Sequence, residues 1–230
     1  MTVNSQTGKR GIVISAAASV AVVLAALGVT AAMQDDGPAA KGTTVEQGAA
    51  QGGPATATGP TFLSAADLPT IPEAGTWTEQ PVQSGLPDPQ YTCISGAVPA
   101  SGTTYRTFAG DMTAEARELV TVLADADGAQ LVAKEVAQSI ERCTDTMATQ
   151  ADESGTTWKK YGTYPDVADG LTVYGAFFAP AGSEYHLQLF GVGRDGKNVV
   201  VTTLAQMGRE SEAPVDAFTA TAKVALEKAF

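Results

Sequence analysis

The stretch LVAKEVAQSIERCTDTM, residues 131–147, decides the fold class because it carries a long helical stripe in the middle of the chain. Aspartates at 125 and 127, followed by Gly128, precede the stripe, and their charge suits the positive end of a helix dipole. The sequence therefore predicts a long helix that ends near Ala148. Its buried face has spacings of 4, 4, 3 and 4 residues, at Val132, Val136, Ile140, Cys143 and Met147.

Strand patterns lie on both sides of this helix, and a second helix follows them. Asp195-Gly196 predicts a tight hairpin between the last two strands. Ser211 as a cap and Pro214 in the first turn predict a helix within 211–230. We therefore expect an α+β fold, with an antiparallel sheet of about five to six strands packed with two long helices. The predicted strands span 103–110, 116–124, 158–164, 171–179, 184–193 and 198–206.

Ordered structure is expected to begin at residues 61–70. Ser64 and Asp67 form a capping-box pattern, and Pro69 ends the turn, so the sequence predicts one short helix there. Residues 71–100 are rich in Pro, Gly and Thr and are expected to be irregular.

An apolar stretch near the N-terminus predicts export of the chain. Residues 11–33 contain no charge and follow two basic residues. About 20 residues suffice to cross a bilayer, so the stretch fits a transmembrane helix with residues 1–10 in the cytoplasm. A cleavable signal peptide is the alternative, because small residues near position 31 fit a cleavage site. The domain is thus expected to be either anchored outside the membrane or secreted.

The segment that follows is predicted to be a disordered linker. Residues 34–60 consist mostly of Gly, Ala, Pro and Thr and have too little apolar surface to offset the entropy of ordering. The remaining residues, 61–230, are predicted to be the extracytoplasmic domain. They carry the whole net charge of −11, because residues 1–60 sum to zero. An acidic domain without a basic stripe is a poor nucleic-acid binder, so no nucleic-acid partner is expected.

The two cysteines, Cys93 and Cys143, are interpreted as a structural disulfide. An even number of cysteines in an exported chain favours pairing. A metal site would need more sulfur or imidazole than the single His186 supplies, and the CxxC spacing of redox motifs is absent. We expect no metal and no cofactor.

No catalytic constellation is found in the sequence, so we expect no enzyme. His186 lies in a predicted strand, and no G-x-S-x-G motif supplies a nucleophilic serine. We interpret His186 as a strand residue at a polar face, with ligand contact as the alternative. The aspartates of ADADG, residues 124–128, resemble the start of a calcium loop but lack its closing glutamate, so helix capping explains them.

The stretch WKKYGTYP, residues 158–165, is the best candidate for a ligand site. It places two adjacent lysines among Trp158, Tyr161 and Tyr164 in an acidic domain. These residues, together with His186, are expected to line a cleft for an anionic or carbohydrate ligand. The more common role of such a stretch is an ordinary edge strand, whose lysines oppose aggregation.

The order of features resembles one family. The segments FLSAADLP (62–69), DGKNVVV (195–201) and APVDAFTATAKVAL (213–226), with Cys143 in a helix and Trp158 soon after it, are similar to the extracellular sensor domain of PknH-type mycobacterial serine/threonine kinases. The resemblance covers about 61–230 and is to the kinase-less actinobacterial relatives, since we expect no kinase before the apolar segment.

This resemblance implies an antiparallel sheet flanked by two long helices, with a cleft that binds an unidentified ligand outside the cell. It also implies a disulfide role for Cys93 and Cys143, although the kinase sensor has a second disulfide that two cysteines cannot form. The leading hypothesis is a membrane-tethered, non-enzymatic module that binds a small molecule or envelope component. A structural or protein-interaction module of the envelope, without a small-molecule site, is the alternative.

Overall fold

The structure, a computed structural model, describes residues 59–111, 113–148, 156–178 and 185–230. The predicted N-terminal tail (1–10), apolar helix (11–33) and most of the linker (34–58) lie outside the described residues, as does the side chain of Met147. No helix among the described residues is long and apolar enough to cross a membrane.

A single antiparallel sheet forms the centre of the domain, and the α+β class is confirmed. Its strands follow the order β1-β3-β4-β8-β7-β6-β5, with β2 also paired to β3. The strands are β1 (Thr78–Glu79), β2 (Gln83–Ser84), β3 (Thr103–Ala109), β4 (Glu115–Val122), β5 (Thr157–Tyr164), β6 (Leu171–Phe178), β7 (His186–Asp195) and β8 (Asn198–Met207).

The strand number corrects the prediction of five to six. The six long strands lie where alternation indicated them, but β1 and β2 add two short strands within the segment expected to be irregular. Each has two residues and is exposed. Two residues are too few to show the alternation by which a strand is recognised.

Two long helices are present, as predicted: α1 (Ala126–Ala148) and α2 (Val215–Lys228). The Asp125 carboxylate accepts a hydrogen bond from the Gly128 backbone N–H at 2.8 Å, which caps the start of α1. The hairpin predicted at Asp195-Gly196 joins β7 to β8, and the positive φ of Gly196 (53°) explains why glycine stands there.

The helices cover opposite faces of the sheet and create two hydrophobic cores. Alternate strand residues point to opposite faces. The α1 face also contacts residues 91–98, and the α2 face also contacts residues 62–77. Side chains of the α1 face include Leu119, Tyr174, Phe190 and Val201; those of the α2 face include Val120, Val173, Leu189 and Leu204.

Close approach of α2 depends on two glycines in β7. A Cβ at Gly193 would lie 2.8 Å from the Leu226 side chain, and one at Gly191 would lie 2.7 Å from the Cβ of Ala222. Contacts this short do not occur between real side chains, so larger residues would push the helix outward.

The disulfide between Cys93 and Cys143 is present. It connects the short 3₁₀ helix Thr92–Ile94 to α1, with a Cα–Cα distance of 5.0 Å. Both cysteines are buried in the core of the α1 face. The bridge therefore ties an irregular segment to the helix that covers it, as the sequence predicted.

Candidate functional site

The four aromatic and imidazole residues predicted to line one cleft are divided between the two faces of the sheet. Trp158 pairs with Ala176 on the α1 face, and its ring lies 6.5 Å from that of Tyr174. Tyr161 and Tyr164 pack against the core of the α2 face. Within the described residues these side chains do not form a common cleft.

Strand alternation places Trp158 and Tyr161 on opposite faces, and a β-bulge in the outermost strand decides the face of Tyr164. The pairing of β5 with β6 shifts between Lys160 and Gly162, so one extra residue is accommodated there. Uninterrupted alternation would place Tyr164 on the same face as Trp158. The bulge instead moves Tyr164 to the face of Tyr161, opposite Leu171.

His186 is the first residue of β7 and is exposed. It pairs with Phe178 and Met207 on the α1 face. Its imidazole makes no hydrogen bond or ion pair with any described residue. The position is that of a strand residue at an open face, away from Tyr161 and Tyr164.

Tyr161 lines a groove between β5 and the start of α2, which we call the β5–α2 groove. The groove has a volume of about 480 Å³. The Tyr161 ring lies over Gly175, where an added Cβ would approach it to 2.8 Å, and meets Phe177 edge-on at 6.5 Å. The glycine thus makes room for the ring. The groove is lined by Lys159, Tyr161, Arg209, Glu210, Ser211 and Val215.

Cationic side chains are stacked on tyrosines at this groove. Lys159 Nζ lies 5.2 Å from the ring centroid of Tyr161, and the Arg209 guanidinium lies 4.9 Å from that of Tyr185. A cation above an aromatic face is attracted by the ring quadrupole. The stacks hold two positive charges at the groove of a strongly acidic chain.

One carboxylate crosses the groove and pairs with the lysine. Glu210 Oε1 lies 3.0 Å from Lys159 Nζ, and the two side chains are 46% and 54% exposed. An ion pair this exposed contributes about 0–1 kcal/mol. A ligand anion can therefore replace Glu210 at Lys159 at little cost. Burial, and then the charge of Glu210, raise the pKa of Tyr161, so its hydroxyl stays a hydrogen-bond donor at neutral pH.

Among the described residues that line the groove, no nucleophile is hydrogen-bonded to a base. Their hydroxyl groups are those of Tyr161 and Ser211, and His186 lies on the opposite face of the sheet. Among the described residues, no group of three or more His, Cys, Asp or Glu side chains is placed to hold a metal ion.

Sequence reasoning identified Tyr161 but missed Arg209 and Glu210. They belong to the turn after β8, and Glu210 is 51 positions from its partner Lys159. No local pattern connects the two segments; only the order of strands in the sheet brings them together.

In comparisons with protein families, curated proteins and solved structures, the chain matches none.

Proposed function

We propose that this chain is a non-enzymatic binding module that captures an anionic small molecule or an anionic component of the cell envelope in the β5–α2 groove. The observation that carries the proposal is the convergence of Lys159, Arg209 and the Tyr161 ring on one concave surface. Charge-assisted hydrogen bonds from the cations would hold the anion, and the ring would supply apolar contact.

The sequence supports a location outside the cytoplasm for this module. In the proposed arrangement, residues 11–33 anchor the chain in the membrane or serve as a signal peptide, and residues 34–60 act as a spacer. The resemblance to the PknH-type sensor domain favours the same role, a ligand-binding domain without a catalytic part of its own.

The test compares two neighbouring lysines that lie on opposite faces of β5. Lys159 faces the groove, whereas Lys160 pairs with Tyr174 on the α1 face. The full chain in a non-sugar detergent is titrated with dextran sulfate oligomers and with neutral dextran of the same length. We expect only the sulfated oligomer to bind. Lys159→Ala should weaken that binding about tenfold, the loss of one charge-assisted hydrogen bond, and Lys160→Ala should change it less than twofold.

Equal effects of the two lysine substitutions would indicate diffuse attraction and would contradict the proposal. Tyr161→Phe and Tyr161→Ala add a second readout. Tyr161→Phe keeps the apolar contact and removes only the hydroxyl, so it should weaken binding of the sulfated oligomer much less than Tyr161→Ala does.

A protein-interaction module is the second candidate, and one feature of α1 favours it. Leu131 is 68% exposed and borders a depression of about 500 Å³ whose other walls include Ala97, Pro99 and Val132. Leu131 and these walls form one contiguous apolar patch at the surface, and such patches mark protein contacts. Leu131→Asp would weaken capture of such a partner and leave the binding of dextran sulfate unchanged.

A further inference from the structure

A second cavity lies on the opposite side of the sheet from the β5–α2 groove. It has a volume of about 280 Å³ and lies between α1 and strands β5, β6 and β7. Because the sheet separates the two depressions, a ligand in this cavity would not contact Lys159 or Arg209.

Small residues on α1 leave this cavity open. Ala133 and Ala137 form its helical wall, one turn apart, while the larger Val136 and Ile140 fill the core nearby. Val192, on the α1 face of the sheet, completes the apolar part of the wall. The volume is below the roughly 300–1,000 Å³ typical of sites for drug-sized ligands, so only a small molecule fits.

The polar part of the wall contains a fixed pair of opposite charges. Arg194 Nη1 donates to Asp169 Oδ2 at 2.9 Å and to the Gly196 carbonyl at 3.3 Å. The same Asp169 oxygen accepts the Gly196 backbone N–H at 2.8 Å. Within the described residues, Asp169 Oδ1 and the Arg194 Nε and Nη2 groups make no hydrogen bond. One acceptor and two donors of residues that line the cavity therefore remain for a ligand.

Two threonine hydroxyls extend this polar wall. Thr163 and Thr172 face each other across β5 and β6 with their Oγ1 atoms 3.4 Å apart, at the upper limit for a hydrogen bond. Each hydroxyl can donate and accept. Tyr174 lies at the same wall and offers an aromatic surface.

The loop that presents Asp169 is held in an unusual backbone conformation. Ala168, immediately before it, has a φ of 49°, a left-handed conformation that costs energy in any residue with a Cβ. Strained residues of this kind cluster at binding sites, where the surrounding structure maintains them. Here the strained residue directly precedes one side chain of the charged pair.

We infer that this cavity binds a neutral, hydroxyl-rich molecule of monosaccharide size. A vicinal diol can donate to Asp169 Oδ1 and accept from Arg194 at the same time, and the threonine hydroxyls meet further hydroxyl groups. An anion is disfavoured because Asp169 is held at the cavity by both Arg194 and the Gly196 backbone N–H, so its negative charge stays beside the ligand. This site goes beyond the proposed function, since its position and its ligand class both differ from those of the groove.

The experiment measures sugar binding to the full chain in a non-sugar detergent by saturation-transfer NMR. The probes are D-glucose, D-mannose and D-ribose, with D-glucuronate as the charged counterpart of glucose. We expect saturable binding of at least one neutral sugar in the millimolar range. Thr172→Val, which keeps the shape and removes one hydroxyl, should weaken it about tenfold. Ala137→Leu, which fills the cavity without removing a polar group, should abolish it.

Matched controls distinguish this site from the groove. Lys159→Ala should leave sugar binding unchanged, and the thermal unfolding of each variant shows whether it is folded. The inference is overturned if no neutral sugar binds, if glucuronate binds more tightly than glucose, or if folded Thr172→Val and Ala137→Leu bind as the unmodified chain does. Loss of sugar binding in Lys159→Ala alone would place the sugar in the groove, which overturns this inference and leaves the proposed function standing.

Discussion

Glu118 is a fully buried carboxyl group on the α2 face, with 0% of its surface exposed. Its Oε2 accepts the Leu63 backbone N–H at 2.6 Å, and Arg106 Nη1 donates to the Leu63 carbonyl at 2.9 Å. Its Oε1 has no hydrogen-bond partner among the described residues. Glu118 and Arg106 together hold the leading segment of the domain, residues 62–68, on the sheet.

Burial raises the pKa of Glu118 from its ordinary value of 4.5 to about 8. The Leu63 N–H, Arg106 and Lys228 act to lower this pKa, and the carboxylate of Asp67 acts to raise it, but burial dominates. At neutral pH the folded chain therefore holds a proton on Glu118 that the unfolded chain releases.

We predict that this proton makes the domain more stable in mild acid than in mild base. The contribution is fully present below pH 4.5 and is lost as the pH rises to about 8, by an amount on the order of 4 kcal/mol. Urea unfolding of the full chain from pH 5 to pH 8 measures this change in the free energy of unfolding. Glu118→Gln stays neutral throughout and should flatten the profile, whereas Glu227→Gln, at an exposed position, should not. A flat profile in the unmodified chain would show that Glu118 is ionised in its buried site.

At the scale of elements, α1 depends on a covalent connection as well as on its apolar stripe. The chain that lies against it, residues 91–98, contains only a three-residue 3₁₀ helix. The bridge from Cys93 to Cys143 closes a loop of 50 residues, which restricts the unfolded chain.

We predict that breaking this bridge destabilises the domain by roughly 4 kcal/mol, the entropy of closing a loop of that length. The double substitution Cys93→Ala with Cys143→Ala should lower the unfolding free energy by about this amount. A reductant should do the same to the unmodified chain and have no effect on the double variant. If the unmodified chain were equally stable with and without reductant, the bridge would contribute nothing to stability.

The elements differ in how far sequence could foresee them. Residues 198–206 are rich in β-branched residues and 131–147 carry a helical stripe, so β8 and α1 follow from local sequence. The two lysines of β5 indicated an edge strand, and β5 lies at the edge of the sheet; the order of the other strands does not follow from sequence, because it depends on contacts between distant segments. Tyr161 was recognised as a candidate, while the shift of Tyr164 to the same face by the bulge near Gly162 was not.

For the whole molecule, the sheet divides the domain into two faces with different chemistry. The β5–α2 groove presents two cations, and the cavity beneath α1 presents a neutralised pair with hydroxyl groups. Each depression lies between one helix and the sheet. The resemblance implies a sheet flanked by two long helices, and among the described residues the two helices lie on opposite faces of the sheet.

The predicted export of the chain would place its two cysteines in a compartment where a disulfide can persist. A bridge between Cys93 and Cys143 persists in oxidising compartments and is reduced in the cytoplasm. Residues 11–33 are proposed to deliver the domain to such a compartment, either as an anchor or as a signal peptide. Both alternatives require the cysteines to be oxidised in the mature protein.

We predict that the full chain, recovered from a bacterial host, has no thiol that reacts with maleimide after denaturation, whereas a chain that lacks residues 1–33 has two. Membrane and medium fractions separate the alternatives, because an anchored chain keeps residues 11–33 in its intact mass and a processed chain loses them. A phosphatase fused after Phe230 reports export independently, since it folds only outside the cytoplasm. If the phosphatase is active and the thiols react, the disulfide alone is contradicted. If the phosphatase is inactive and the thiols react, export is contradicted, and the bridge would then have no oxidising compartment in which to form.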